Sequence, residues 1–259
     1  MSNPLEITIA FLFGLFIGSF LNVCIYRIPA NKSIVMPPSN CPGCHTPIRF
    51  YDNIPVLSYI WLFGKCRSCR APISIRYPMV ELLTGAFAGL CVLKFGFTPA
   101  AAIYFAFIAS LLVVTFIDID HRIIPDVITL PGIPLFFGAT FLLPDIGPVQ
   151  SIAGILIGGG SLLLVAWTYY LLTGKEGMGG GDIKLLAMIG AVVGWQGVIL
   201  TIFTASITGT IVGGALMLAS GKNLKLAIPF GPFLAAGAVI SVLYGPELIR
   251  WYIYGVRPF

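Results

Sequence analysis

Long apolar runs separated by short polar breaks make up most of this chain, and one stretch departs from that rhythm. Residues 5–28 form the first run, which ends in Gly18-Ser19-Phe20-Leu21-Asn22 and then Tyr26-Arg27. Further runs follow at 79–97, 99–117, 127–143, 149–172, 183–193, 198–219 and 228–249. Most approach or reach the ~20 residues a helix needs to cross a bilayer. Pro131 and Pro134 interrupt the fourth run, which a membrane helix tolerates when neighbouring helices or waters satisfy the freed carbonyls. Gly194-Trp195-Gln196-Gly197 reads as a turn or as part of a longer span; taken as a turn, it makes the sixth run short and the seventh a separate helix. The pattern predicts an all-α polytopic membrane protein with about eight transmembrane helices. Between the first and second lies residues 29–78, proline-rich, basic and holding four of the six cysteines. The expected division is therefore 1–28 as the first transmembrane helix, 29–78 as a small extramembrane loop domain, and 79–259 as the main transmembrane domain.

Composition agrees with this pattern. Apolar residues make up 58% and charged residues 10%, against about 25% charged in ordinary soluble domains. The net charge of +5 carries no nucleic-acid reading, because the position of the basic residues is what matters. With residues 29–78 in the cytoplasm and eight spans, the cytoplasmic side holds Arg27, Lys32, Arg49, Lys65, Arg67, Arg70, Arg76, Arg122, Lys175, Lys184, Lys222 and Lys225. Lys94, Arg250 and Arg257 fall on the far side. This twelve-to-three excess is the asymmetry that sets membrane orientation, and it leaves both termini outside. The first run has no basic segment before it and no small-residue cleavage site after it, so it reads as an uncleaved span.

Cys41-Pro-Gly-Cys44 and Cys66-Arg-Ser-Cys69 are two C-x-x-C knuckles. Four thiolates on two tight turns suit tetrahedral zinc, and a loop this poor in core residues needs such a staple. Cys44-His45 also completes the C-x-x-C-H pattern of haem attachment, but haem would leave the second knuckle unexplained. Disulfides are the other alternative, and a reducing cytoplasm opposes them. Cys24 and Cys91 lie within spans and read as small buried apolar residues.

Two acidic patches stand at membrane edges, where ionisable groups are costly and invite a functional reading. One is Asp118-Ile-Asp120-His-Arg-Ile-Ile-Pro-Asp126; the other is Gly179-Gly-Gly-Asp182, a G-x-G-D motif. Two carboxyl groups held close cannot both ionise, so they share a proton and can activate water for proteolysis. Glycines beside Asp182 permit close backbone approach. The structural alternatives are that Asp182 and Asp126 cap the helices they precede, and that Asp120 is solvated or paired with Arg122. Asp118 lies nearer the span than Asp120, and His121 reads as interfacial.

Taken together, these motifs resemble the type IV prepilin peptidases. The resemblance runs nearly end to end: Gly18 to Asn22, the cysteine knuckles, Asn53-Ile54-Pro55, Arg76-Tyr77-Pro78 with Glu81, Ile117-Asp118, Pro125-Asp126, Gly174 to Gly179, Gly181-Asp182 and Pro229-Phe230-Gly231-Pro232. It implies a bifunctional, multi-pass enzyme of the bacterial inner membrane with its active site facing the cytoplasm. Such an enzyme cuts the basic leader from prepilins or from the pseudopilins of type II secretion. It then methylates the new N-terminus using S-adenosylmethionine. On matching positions the resemblance implies Asp118 and Asp182 as the catalytic pair and Cys41, Cys44, Cys66 and Cys69 as ligands of a structural zinc. Methyl transfer would be associated with the loop region; no methyl-donor fingerprint stands there, Glu81 and Arg76 are candidates, and the residues that bind the donor stay unassigned. The competing readings are another G-x-G-D membrane protease without methylation and a proton-coupled transporter.

Overall fold

The structure, a computed structural model, describes residues 3–175, 177–220 and 229–255. Glu176, Lys222, Lys225 and Arg257, all used in the sequence reading, lie outside the described residues. The described residues hold eight α-helices: α1 (Pro4–Arg27), α2 (Leu57–Trp61), α3 (Arg76–Phe95), α4 (Pro99–His121), α5 (Asp126–Ala139), α6 (Pro148–Thr173), α7 (Gly180–Ser220) and α8 (Gly231–Tyr254). Among the described residues there is no β-sheet, only two isolated bridges in the loop domain. α1, α3, α4, α6, α7 and α8 are long and apolar enough to cross a membrane, while the apolar helix Asp126–Leu142 is shorter. Many leucines and phenylalanines on these helices are exposed, as expected where lipid tails are as apolar as the side chains they meet. This is an integral membrane protein.

The chain forms two compact units, Met1–Val113 and Val114–Phe259. In the first, α1 and α3 pack antiparallel through small residues. A Cβ at Gly14 would lie 2.7 Å from Ala88 Cβ, and one at Gly18 would lie 2.6 Å from Glu81 Cα. Gly14/Gly18 and Gly85/Gly89 thus form facing small-xxx-small pairs, which let membrane helices approach until their backbones touch. That approach lets Asn22, buried on α1, donate to Tyr77 O at 3.1 Å. A membrane interhelical bond of this kind is worth about 0.6–2 kcal/mol.

In the second unit the decisive feature is a reversal inside α7. Gly194 has φ 67° and ψ 179°, a conformation glycine adopts without a Cβ penalty. The packing shows what this turn does. Gly181 contacts Ile124, Ile124 also contacts Gly231, and Phe233 lies against Gly209. A straight helix would separate Gly181 from Gly209 by about 42 Å, so the chain must double back at Gly194. The arm before the turn packs on α6, where Gly154 and Gly190 meet backbone to backbone and Ser151 Oγ donates to Ala191 O at 2.8 Å. The arm after it packs on α8, where Gly237 would clash with Thr201 and Thr204 if it carried a side chain. The reversal returns the chain to the end from which Asp182 started.

Candidate active site and cysteine cluster

Asp118 stands in the last turn of α4 and is 5% exposed. α4 ends there because Arg122 turns to φ 55° while its N–H still donates to Asp118 O at 2.9 Å. Asp118 Oδ2 accepts from Gly231 N–H at 3.0 Å. Gly231 opens α8 and Pro232 follows it, so the carboxylate meets a helix N-terminus with an unsatisfied donor and a favourable dipole. The fit is close: a Cβ at Gly231 would lie 2.6 Å from the same oxygen.

Asp182 lies in the first turn of α7, which begins at Gly180. Its Oδ1 is buried with no hydrogen-bond partner among the described residues, so this oxygen does not cap the helix. Glycine is needed at 181, where a Cβ would come 2.8 Å from Ile124 Cβ. Ile124 in turn touches Gly231, so the neighbours of the two acids meet on one side chain. Asp118 and Asp182 are close enough for their charges to repel.

The other acidic residues fare differently. Asp126, in the first turn of α5, accepts from Lys184 Nζ at 2.8 Å on both oxygens, and the pair is largely exposed. This bond ties the start of α5 to the start of α7, and Gly132 against Met188 continues the contact. Asp120 and His121 are exposed. Of the acids in the first patch, Asp118 is the one buried beside Asp182.

The four cysteines Cys41, Cys44, Cys66 and Cys69 converge, their sulfurs all within 4.8 Å of one another. Cys41 and Cys69 sulfurs are 3.8 Å apart, and those of Cys44 and Cys66 are 4.0 Å apart. Tetrahedral sulfurs at ~2.3 Å from a zinc ion would be ~3.8 Å from each other, so the donor set and its spacing suit that metal. All six cysteines are free thiols. The two knuckles are built alike: Cys41 N–H donates to Thr46 O and His45 N–H to Cys41 O, as Cys66 N–H donates to Ala71 O and Arg70 N–H to Cys66 O. His45 and Arg70 both take positive φ, 56° and 61°. His45 therefore matches Arg70, a residue unable to ligate a metal or haem iron, and its place is explained by the turn. Side-chain and backbone hydrogen bonding with Thr46 pulls the Cys44 thiol down to about 6, which favours the thiolate that a metal requires.

One contact the sequence did not suggest anchors this loop. Glu81, 8% exposed on α3, accepts from Val56 N–H at 2.8 Å and is bonded by the Ser19 hydroxyl. Val56 has φ 62°, a backbone conformation unusual for a β-branched residue.

Comparison with known proteins agrees with this architecture. Residues 12–95 match the bacterial peptidase A24 N-terminal domain, and residues 105–214 match the type IV leader peptidase family. A prepilin leader peptidase/N-methyltransferase of Aeromonas hydrophila is 40% identical, the match covering 96% of this chain and 94% of that protein. The protein of that name from Pseudomonas aeruginosa is 39% identical over 97% of this chain and 95% of its own, and one from Burkholderia pseudomallei 35% identical over 95% and 87%. No solved structure matches. With a buried Asp118, a G-x-G-D turn whose Asp182 also buries its Oδ1, and relatives this similar over nearly its whole length, the chain belongs to the type IV leader peptidase family.

Proposed function

We propose that this protein cleaves the leader from prepilins or pseudopilins at the cytoplasmic face of the bacterial inner membrane and then methylates the new N-terminus. The observation that carries this reading is that Asp118 lies within charge-repulsion range of Asp182, whose buried Oδ1 has no partner among the described residues. Two carboxyl groups sharing one proton supply both functions that peptide hydrolysis needs. One removes a proton from the attacking water, and the other donates a hydrogen bond to the scissile carbonyl oxygen. The Gly231 N–H fixes Asp118 Oδ2, which leaves Oδ1 to face water or substrate. Both acids stand at helix ends, unlike the midplane sites of transporters. A substrate with a basic leader and an apolar helix would present its scissile bond at that rim.

The remaining assignments rest on the same resemblance and on charge. Eight crossings, with the shorter α5 and both arms of α7 counted, would leave both acidic patches and the loop domain on the basic side, which the charge rule makes cytoplasmic. Cys41, Cys44, Cys66 and Cys69 would hold a zinc ion whose work is structural, in the 29–78 loop domain associated with methyl transfer. S-adenosylmethionine would supply the methyl group, while residues 79–259 carry peptide cleavage. The test is mass spectrometry of a candidate prepilin incubated with reconstituted enzyme and S-adenosylmethionine. Loss of the leader and gain of one methyl is the expected result. Cleavage without methylation would support a G-x-G-D protease of narrower function, and an intact prepilin carrying neither change would refute the proposal.

A further inference from the structure

The loop domain carries an apolar face that its own fold does not cover. Leu57, Ile60 and Trp61 follow i, i+3, i+4 spacing and so share one side of α2; they are 56%, 60% and 46% exposed. Phe63, two residues on, is 86% exposed. In a small extramembrane domain such a patch marks a surface that meets something apolar.

Two observations identify what it meets. The first is depth. α2 starts one residue after Val56, whose N–H is bonded to Glu81, and Glu81 is five residues into the span that begins at Arg76. Five residues of helix amount to ~7.5 Å, so the apolar turn is hung at the level where α3 enters the bilayer. The second is charge. Residues 29–78 contain Lys32, Arg49, Lys65, Arg67, Arg70 and Arg76 but one acidic residue, Asp52. Arg67 is held by Asp52, while Arg49, Lys65 and Arg70 are exposed. Basic residues beside a membrane attract anionic headgroups, and tryptophan favours the same interfacial layer.

We propose that Leu57, Ile60, Trp61 and Phe63 form an interfacial anchor embedded in the headgroup layer beside α3, with Arg49, Lys65 and Arg70 facing anionic phospholipid. The anchor holds the cysteine cluster against the bilayer surface. A basic leader is repelled by this surface, which leaves lipid as its occupant.

The full chain and its Trp61→Phe variant are reconstituted in phosphatidylcholine vesicles with and without phosphatidylglycerol, and the difference in tryptophan emission isolates Trp61. Lipid brominated near the headgroup end of its acyl chains is expected to quench this emission strongly, while aqueous acrylamide quenches it weakly. Strong acrylamide quenching without bromolipid quenching would overturn the proposal. So would protection from both quenchers, which would mean that protein covers the face. Replacing Arg49, Lys65 and Arg70 by Gln, with an unchanged melting temperature as the check on folding, is expected to lower bromolipid quenching about twofold at low salt in the anionic vesicles. Equal quenching in both lipid compositions would remove the headgroup contact.

Discussion

Asp118 Oδ2 and Gly231 N–H are 3.0 Å apart across 113 residues of sequence, so one member of the candidate pair also holds the first turn of α8. This double role separates chemistry from folding. Asp118→Asn retains an oxygen able to accept the Gly231 bond but cannot share the proton. It is expected to remain inserted and folded while leader cleavage falls by roughly 10²–10⁴-fold or more. Asp118→Ala loses the bond as well, and α8 should lose about 0.5–2 kcal/mol of local stability. Asp182→Asn has no such bond to lose, so it should abolish cleavage at unchanged thermal stability. Gel-based cleavage assays beside melting curves check all three, and full cleavage by either Asn variant would remove that residue from the pair.

Gly231 offers a second route to the same site without touching a carboxyl group. An alanine there would press its Cβ against Asp118 Oδ2 at 2.6 Å, and the acid must move. Overpacking of this kind costs about 1–3 kcal/mol. If the whole cost falls on the transition state, kcat/KM drops about 5–150-fold. Gly160, with nothing within 4 Å of a built Cβ, is the control: Gly160→Ala should cleave at the parental rate.

The features legible in the sequence were those written in local spacing. Two C-x-x-C turns announced their sulfurs, because each knuckle places its own pair and the tertiary fold has only to bring two turns together. Asn22 is a polar residue inside an apolar run, a local signal of a bond to a neighbouring helix, and Tyr77 O accepts that bond. Pairings between distant segments left no such trace. Asp118 with Gly231, Val56 with Glu81 and Lys184 with Asp126 are fixed by packing, and neither partner has a spacing that names the other. Pro229-Phe230-Gly231-Pro232 marked a place without a role; the role lies in one amide at a helix start. Gly14/Gly18, Gly85/Gly89 and Gly154/Gly158 had a readable signal in their four-residue spacing, and the structure shows them as the contact points of helix pairs.

The bidentate contact of Arg67 with Asp52, at 2.6–3.1 Å, gives the loop domain a pH dependence of known sign. Hydrogen bonding from Arg67 holds the Asp52 carboxyl below its ordinary range. A carboxyl group lowered on folding contributes stability above its unfolded value, about 3.9, and loses it as pH falls through the folded value. Loop-domain amide protection in the full chain, taken relative to the intrinsic exchange rate at each pH, should therefore be flat from neutral pH to about 5 and fall below about 4. Asp52→Asn should remove the Asp52 part of that acid limb and weaken protection modestly at neutral pH. An unchanged acid limb in this variant would assign it to other groups.

The cysteine cluster makes a prediction in which metal content and peptide cleavage part company. The four sulfurs belong to the loop domain of the first unit, whereas Asp118 and Asp182 both belong to the second. Zinc on four thiolates contributes about 10–16 kcal/mol of apparent binding free energy, which a loop with so small a core would spend on its own folding. The full chain should therefore bind one zinc, and replacing Cys41 and Cys44 by Ser should abolish that binding and speed proteolysis of residues 29–75. Leader cleavage, measured as kcat on a saturating substrate, should change by less than about tenfold, because no ligand acts on the scissile bond. His45→Ala should keep the metal, since His45 occupies the same turn position as Arg70. Zinc loss in the His45 variant, or undiminished zinc in the double serine variant, would overturn the ligand assignment.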